Sequence, residues 1–369
     1  MKTKNRIACI FNYAPHYRRA IYHLMAKELD CDFFFGANLL SGESLEKMEL
    51  SCLPGFRKES KVLKLYRYEW QRDVVRQAFK RYQIYILTGS PALSNIVFML
   101  FARLFGKRVF LWTHGLKSLE DGKNPLVRFF FRSAAGYFMY GNYGRTIMLT
   151  YGIPEDRLFV INNSLDYERQ IEVRKGLSLT SLYADRFRNN NPVVIFSGRL
   201  LKGKKIEMIL EAQSLLLGEC PFNFVLVGDG PEQESLQRRA DELGLAERVW
   251  FYGACYEEET LGSLFYNAAL TVSPGNVGLT AIHSMMYGTP VLTHDNAAHQ
   301  GPEHEAIIPG ETGSFFSEND VLDLTHQIKC WFTDCQDREN ILRKCFRVID
   351  GCYNPYYALK VMKQVIAGS

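Results

Sequence analysis

The stretch VVIFSGRLLKGKKIEMILEAQSLL, residues 193–216, opens on a short apolar run, breaks at Ser197-Gly198 and closes on an amphipathic helix pattern. An unbroken β-rich run followed by a helical period is the mark of a buried parallel strand and its crossover helix. The same alternation recurs on both sides. Upstream, RIACIF, CDFFFG, IYILTG, RVFLWT, AGYFMY and LFVINN read as strands, with YRRAIYHLMAKEL and SNIVFMLFARLF as helices between them. Downstream, PVVIFSG, FNFVLVG, RVWFYG, LTVSPG, PVLTH and TGSFF form a second series. Repeated strand–helix units predict an α/β fold with parallel sheets.

A chain of 369 residues exceeds a single core, so two domains are expected. Residues 167–191, ending in an asparagine run, read as the linker between a domain at 1–166 and one at 192–345. NPYYALKVMKQVIAG near the end reads as a last helix. Charge divides the same way. Residues 1–165 hold 25 Lys and Arg against 13 Asp and Glu, a balance of +12, and the remainder balances at −8 to give the net +4. Two domains with different neighbours follow from that split.

Nine scattered cysteines, with no C-x-x-C and no zinc-type spacing, read as reduced thiols of a cytosolic protein. The basic N-terminus reaches Pro15 and His16 after too short an apolar run for a leader or a membrane span. Aromatics interleaved with basic residues in KVLKLYRYEWQRDVVRQAFKRY and KNPLVRFFFRSAAGYF, read as helices, suit an anionic bilayer surface, although the FFF run is equally suited to a core. No nucleic-acid recognition motif accompanies them.

Paired two-domain α/β chains place ligands at the carboxyl ends of their strands. Arg199 and Lys204, five residues apart at a strand–helix junction, suit a diphosphate, although a solvated helix start gives the same pattern. In SPGNVGLTAIHSMMYGTPV, residues 273–291, a helix expected to begin near Gly278 would turn free N–H groups toward an anion, with the Thr280 hydroxyl beside them.

SGRLLKGKKIEMILEAQ, FVLVGDGPEQESL, RVWFYGACYEEETLGSLFYNAALTVSP and GLTAIHSMMYGTPVL, in that order, resemble the C-terminal domain of the family-four, group-one type of nucleotide-sugar glycosyltransferases. NYAPHYRRAIYHLMAKEL, LWTHGL and YGIPEDRLFVINNSLD resemble parts of its N-terminal domain. The resemblance implies a GT-B architecture: two Rossmann-like, doubly wound domains facing a cleft, with the C-terminal helix (353–369) crossing back to the N-terminal domain. It implies no catalytic metal and no cofactor beyond the nucleotide-diphosphate sugar donor. It matches Arg199 and Lys204 to the diphosphate grip, Gly278 and Leu279 to the amide-bearing turn, His114 to the histidine near the transferred sugar, and Asn163 and Asp166 to the closing Asn–Asp of the first domain.

The family's two glutamates, eight positions apart, fall here on Gly275 and His283. A neutral His283 can donate and accept toward a ribose, or it can be a satisfied helix histidine packed beside Met285 and Met286. Glu303, Glu305 and Asp295 are candidates to replace the sugar-facing acid, and surface capping suits them equally. On the other side Tyr13, His16 and above all Arg18 are placed to touch an acceptor or a donor phosphate, if they do not simply begin a solvated helix. The expected activity is transfer of a sugar, with retention, to a saccharide acceptor, lipid-linked, in bacterial surface polysaccharide assembly at the inner face of the cytoplasmic membrane. A nucleotide-sugar epimerase and a non-catalytic scaffold are the alternatives.

Overall fold

In the computed structural model, which describes residues 7–39, 46–66, 68–116, 118–334 and 337–368, the chain divides into two units. The first takes residues 1–166 with 354–369, and the second takes 167–353.

The first unit is built on a seven-stranded sheet. Its strands are β1 (Ile7–Phe11), β2 (Cys31–Gly36), β3 (Phe56–Ser60), β6 (Ile84–Thr88), β7 (Arg108–Thr113), β8 (Gly136–Met139) and β9 (Leu158–Val160); β4 (Val62–Leu65) and β5 (Tyr68–Gln71) form a separate antiparallel hairpin. The order across the sheet is β3-β2-β1-β6-β7-β8-β9, all parallel. Both faces are buried, as parallel sheets require. Along β1, Ile7, Cys9 and Phe11 enter one core, while Ala8 and Ile10 enter the other with Tyr85, Leu87 and Phe98. The C-terminal helix Pro355–Gly368 packs into the first of these cores through Ala358, Leu359 and Met362, and Lys363 pairs with Glu28 of helix Arg19–Leu29.

The second unit carries β10 (Val193–Ser197), β11 (Asn223–Val227), β12 (Val249–Gly253), β13 (Leu270–Ser273), β14 (Val291–His294) and β15 (Gly313–Phe316). Their order, β12-β11-β10-β13-β14-β15, is again parallel throughout. Strand order reverses between β1 and β6 in one unit and between β10 and β13 in the other. These are the topological switch points at which open α/β sheets bind ligands.

Three sequence expectations need correction. Residues 167–191 are not a linker: Tyr167–Lys175 and Leu182–Phe187 are helices of the second unit. The first buries only Gln170 and Val173, so it carries little apolar period to read. It is held instead by polar contacts, Gln170 to Glu258 at 2.9 Å and Arg169 to Glu259, with Arg174 on Asp350 at 2.9 Å. The asparagine run is an ordered turn in which Asn189 and Asn223 exchange side-chain hydrogen bonds. The second unit also extends past 345, because helix Arg338–Cys352 is continuous.

The basic aromatic segment 61–82 is the β4–β5 hairpin and a single turn of helix, Val74–Gln77. In helix Pro125–Arg132 the Phe130 and Phe131 rings are buried core. Residues 1–6 and Cys335 lie outside the described residues.

Met362 is fully buried where the last helix meets the first sheet. Met362→Ala should lower stability by about 2–4 kcal/mol in chemical denaturation. A loss below about 1 kcal/mol would mean that the C-terminal helix is not part of that core.

Candidate functional site

At the switch point of the second unit, the segment after β10 turns sharply. Gly198 is seated against the β11 turn so closely that a Cβ on Gly228 would lie 1.9 Å from the Gly198 carbonyl oxygen. Residues Lys202–Lys204 then make a 3-10 turn that leans on the segment after β13. The Gly275 N–H donates to the Lys204 carbonyl at 3.0 Å, and the Lys204 ammonium donates back to the Asn276 carbonyl at 2.5 Å. Burial lowers the Lys204 pKa and the Glu303 carboxylate partly restores it. Arg199, by contrast, is exposed, and among the described residues its guanidinium has no side-chain partner.

That contact explains one missing acid. A Cβ at position 275 would sit 2.3 Å from the Gly203 carbonyl oxygen and 2.8 Å from the Lys204 Cα. No side chain fits at 275 unless the cation loop moves, so the glutamate implied by the resemblance has no room.

The segment following Gly275 is cross-braced. Asn276 donates to the His299 carbonyl at 3.1 Å, the Val277 N–H donates to the Gln300 side chain at 3.0 Å, and Gln300 donates to Thr293 at 2.8 Å. Gly278 takes a φ of +51°, a turn conformation that favours glycine. The helix runs only from Thr280 to Met286, starting two residues later than expected and spanning two turns. Thr280 does not offer its proton to a ligand, because its hydroxyl donates to the Ser197 carbonyl at 3.1 Å and ties the two switch-point segments together.

His283 is likewise engaged. Its Nε2 lies 2.7 Å from Glu258 Oε1, which also accepts from the Tyr287 hydroxyl at 2.5 Å and from Gln170. Its ring packs against those of Phe265 and Tyr287. Burial alone would raise the Glu258 carboxyl, but bonds from His283, Tyr287 and Gln170 pull it down to about 2. A ribose contact at Nε2 would require breaking this pair. Glu258 was hidden in the acidic run EEE of residues 257–259, where nothing in sequence marks which carboxylate turns inward.

Among the replacement acids, Glu303 is buried at 4% exposure in the 3-10 turn Pro302–Ala306. It flanks Gly301 together with Gly278, and its charge reaches Lys204. Glu305 is half-exposed on the same turn. Asp295 is exposed and accepts the Glu318 N–H at 3.3 Å. Sequence reading also missed Glu318, which gathers Lys205 at 3.1 Å, Asn296 at 2.7 Å and His299 at 2.9 Å, and is held at about 2 chiefly by the last two. Of the candidates, the structure therefore brings Lys204, Gly278 and Glu303 together.

The first unit has its own cavity, about 730 Å³, at the carboxyl ends of β1, β6 and β7. Asn12, Arg18, Thr88, Ser90, Trp112 and His114 are among its walls. Tyr140 links the two expected residues: its ring lies 4.3 Å from that of His114 and 5.2 Å below the Arg18 guanidinium, which donates to its hydroxyl. Tyr13, His16 and Asn163 do not line this cavity. His16 is exposed beside Glu46, Asn163 accepts the Ser164 N–H at 3.2 Å just beyond β9, and Asp166 is exposed.

Residues 184–344 match the family described as glycosyl transferases group 1. That match takes in most of the second unit. Among curated proteins, the uncharacterized glycosyltransferase MJ1607 of Methanocaldococcus jannaschii is 27% identical over 154 residues, 38% of this chain and 37% of the relative. The chain thus spans well under half the length of the curated relatives it matches. The fold of the whole chain is shared more widely. It matches the lipopolysaccharide outer core galactosyltransferase WaaB, apo form, with a TM-score of 0.71 and 16% identity over 98% of this chain and 99% of that one. It also matches Anabaena HepE in complex with UDP, with a TM-score of 0.69 and 17% identity over 99% and 100%. These likenesses show the GT-B fold through both units.

The Glu258 carboxylate sits below its ordinary value of 4.5, at about 2. A depressed acid contributes stability above its unfolded pKa and loses it as pH falls through the folded one. Stability of the wild type should therefore fall from pH 4.5 toward pH 2 more steeply than that of Glu258→Gln. Equal slopes in acid denaturation would show that the His283–Glu258–Tyr287 node does not hold this charge.

Proposed function

We propose that the protein is a glycosyltransferase that moves a sugar from a nucleotide-diphosphate donor to a saccharide acceptor, with retention. The observation that carries the reading is the pair of cations at the switch point of the second unit: Arg199, exposed and without a side-chain partner among the described residues, and Lys204, fixed and partly desolvated beside Glu303. An ammonium already stripped of water interacts strongly with a phosphate, and a guanidinium adds a planar fork. Loss of the nucleotide diphosphate concentrates negative charge on the leaving group, so cations fixed beforehand lower the barrier without reorganising.

In this reading the Gly278–Leu279 turn lies beside the diphosphate, Glu303 takes hydroxyls of the donor sugar while holding Lys204 in place, and Asp295 and Glu305 stand at the rim. His114, on the wall of the first unit's own cavity, takes sugar hydroxyls there, and Asn163 supports the end of that unit. No step is assigned to a metal. The HepE structure was solved with UDP, which makes a uridine donor the first to test. WaaB acts on lipopolysaccharide outer core, in keeping with a lipid-linked acceptor in bacterial surface polysaccharide assembly.

Contact with an anionic membrane at the cytoplasmic face fits a surface of the first unit. Phe79, Leu104 and Phe105 are 58, 69 and 50% exposed, and the Phe79 ring lies 5.3 Å from that of Phe105. The exposed Arg76, Lys80, Arg81 and Arg103 neighbour them in sequence. No described helix is long and apolar enough to cross a membrane. Exposed rings edged by basic side chains suit the headgroup region of a bilayer.

Lys204→Met should lower kcat/KM by an amount equivalent to about 2–4 kcal/mol and weaken UDP binding in calorimetry. Wild-type turnover in that variant would remove the basis of the reading. Phe79→Ser combined with Leu104→Ser should release the protein from phosphatidylglycerol vesicles in sedimentation while leaving UDP affinity intact. Undiminished vesicle binding would place the membrane contact elsewhere.

A further inference from the structure

Arg18 has no acid. Its guanidinium lies 5.1 Å from the centre of the Trp112 ring, 5.2 Å from that of Tyr140 and 5.7 Å from that of Tyr17, and its hydrogen bond goes to the Tyr140 hydroxyl. Among the described residues no carboxylate pairs with it. Other part-buried cations of the chain do find acids: Arg174 meets Asp350, Lys205 meets Glu318, and Lys47 meets Glu59. The two acids on the cavity wall are already committed elsewhere. Asp121 accepts from the Ser118 N–H at 3.0 Å and from its hydroxyl at 3.2 Å, and Glu120 pairs with Lys123 at 2.6 Å.

The surroundings are also rich in donors. Arg18 Nε and the indole N–H of Trp112 are both buried without an acceptor. Buried N–H groups are nearly always satisfied, and a cation drawn out of water without a counter-charge is costly. Aromatic faces offset part of that cost by cation–π attraction, but they do not neutralise the charge. Here the excess charge lines a cavity of about 730 Å³, within the range that holds small ligands. Its further polar lining includes Asn12, Thr88, Ser90 and His114, side chains of the kind that take sugar hydroxyls.

We propose that the cavity of the first unit binds its ligand through an oxyanion, a phosphate ester or a carboxylate carried on a saccharide, held by Arg18. The ligand is the acceptor only if the transferase reading is correct; the oxyanion site itself stands on the cavity alone. Arginine suits both groups, because its fork matches two oxygens at once.

The test is calorimetric titration of the full chain with glucose 1-phosphate, glucuronate and glucose. At least one of the two anions should bind ten-fold or more tightly than glucose, and which one does identifies the oxyanion. Arg18→Met, which keeps the stem between the rings and removes the charge, should abolish the difference. Arg18→Lys, which keeps the charge, should retain part of it and serves if the methionine variant loses its thermal transition. Equal binding of glucose and both anions, no binding of either anion, or an undiminished preference in Arg18→Met would overturn the proposal. UDP titrated into the same preparation separates the two readings. UDP binding without anion binding sinks the oxyanion site alone, and anion binding without UDP binding sinks the transferase reading alone.

Discussion

The contact between the Lys202–Lys204 turn and the backbone at Gly275 governs the second unit's switch point. Two hydrogen bonds in opposite directions, Gly275 to Lys204 and Lys204 to Asn276, lock the segment after β10 to the segment after β13. They fix the lysine in a partly desolvated position and leave no space for a side chain at 275. The packing that fixes the cation therefore also excludes a side chain from position 275. Glu303 supplies a carboxylate from a different segment of the chain, a 3-10 turn after β14, beside the same glycine turn.

The second departure, histidine where the resemblance implies a glutamate, has a parallel explanation. His283 does not stand alone; it shares one carboxylate oxygen with Tyr287 and Gln170. The carboxylate comes from helix Glu258–Asn267 instead of from position 283 itself. Through Gln170 the same oxygen anchors helix Tyr167–Lys175, so the node is a structural brace as well as a feature of the site. In the first unit the organising feature is aromatic: Trp112 meets Phe11 and Tyr22 edge to face, Phe11 stacks on Tyr22, and Tyr140 lies tilted against Trp112, so that the rings hold Arg18 at the cavity wall.

The strands were legible because parallel strands buried on both faces must be continuous apolar runs, and such runs as IACIF and VVIF admit few other readings. The strand β3, FRKES, was missed for the converse reason: an edge strand carrying Arg57, Lys58 and Glu59 has no apolar signature. Helix Tyr167–Lys175 was missed because polar bonds, not an apolar face, hold it. Arg199, Lys204 and Glu303 were singled out because motif spacing carries them. The engagement of Thr280 by Ser197 and of His283 by Glu258 could not, since each joins positions far apart in sequence. Tyr140, which brings Arg18 and His114 together, was read only as the end of a strand.

The most direct measurement of the central claim is amide hydrogen exchange with and without UDP. Binding at the switch point of the second unit should slow exchange in 198–205 and 275–280, the two segments joined through Lys204, and leave the distal strand β12 unchanged. Protection confined to other segments, with 198–205 exchanging as in the free protein, would contradict the assignment of this junction as the donor site.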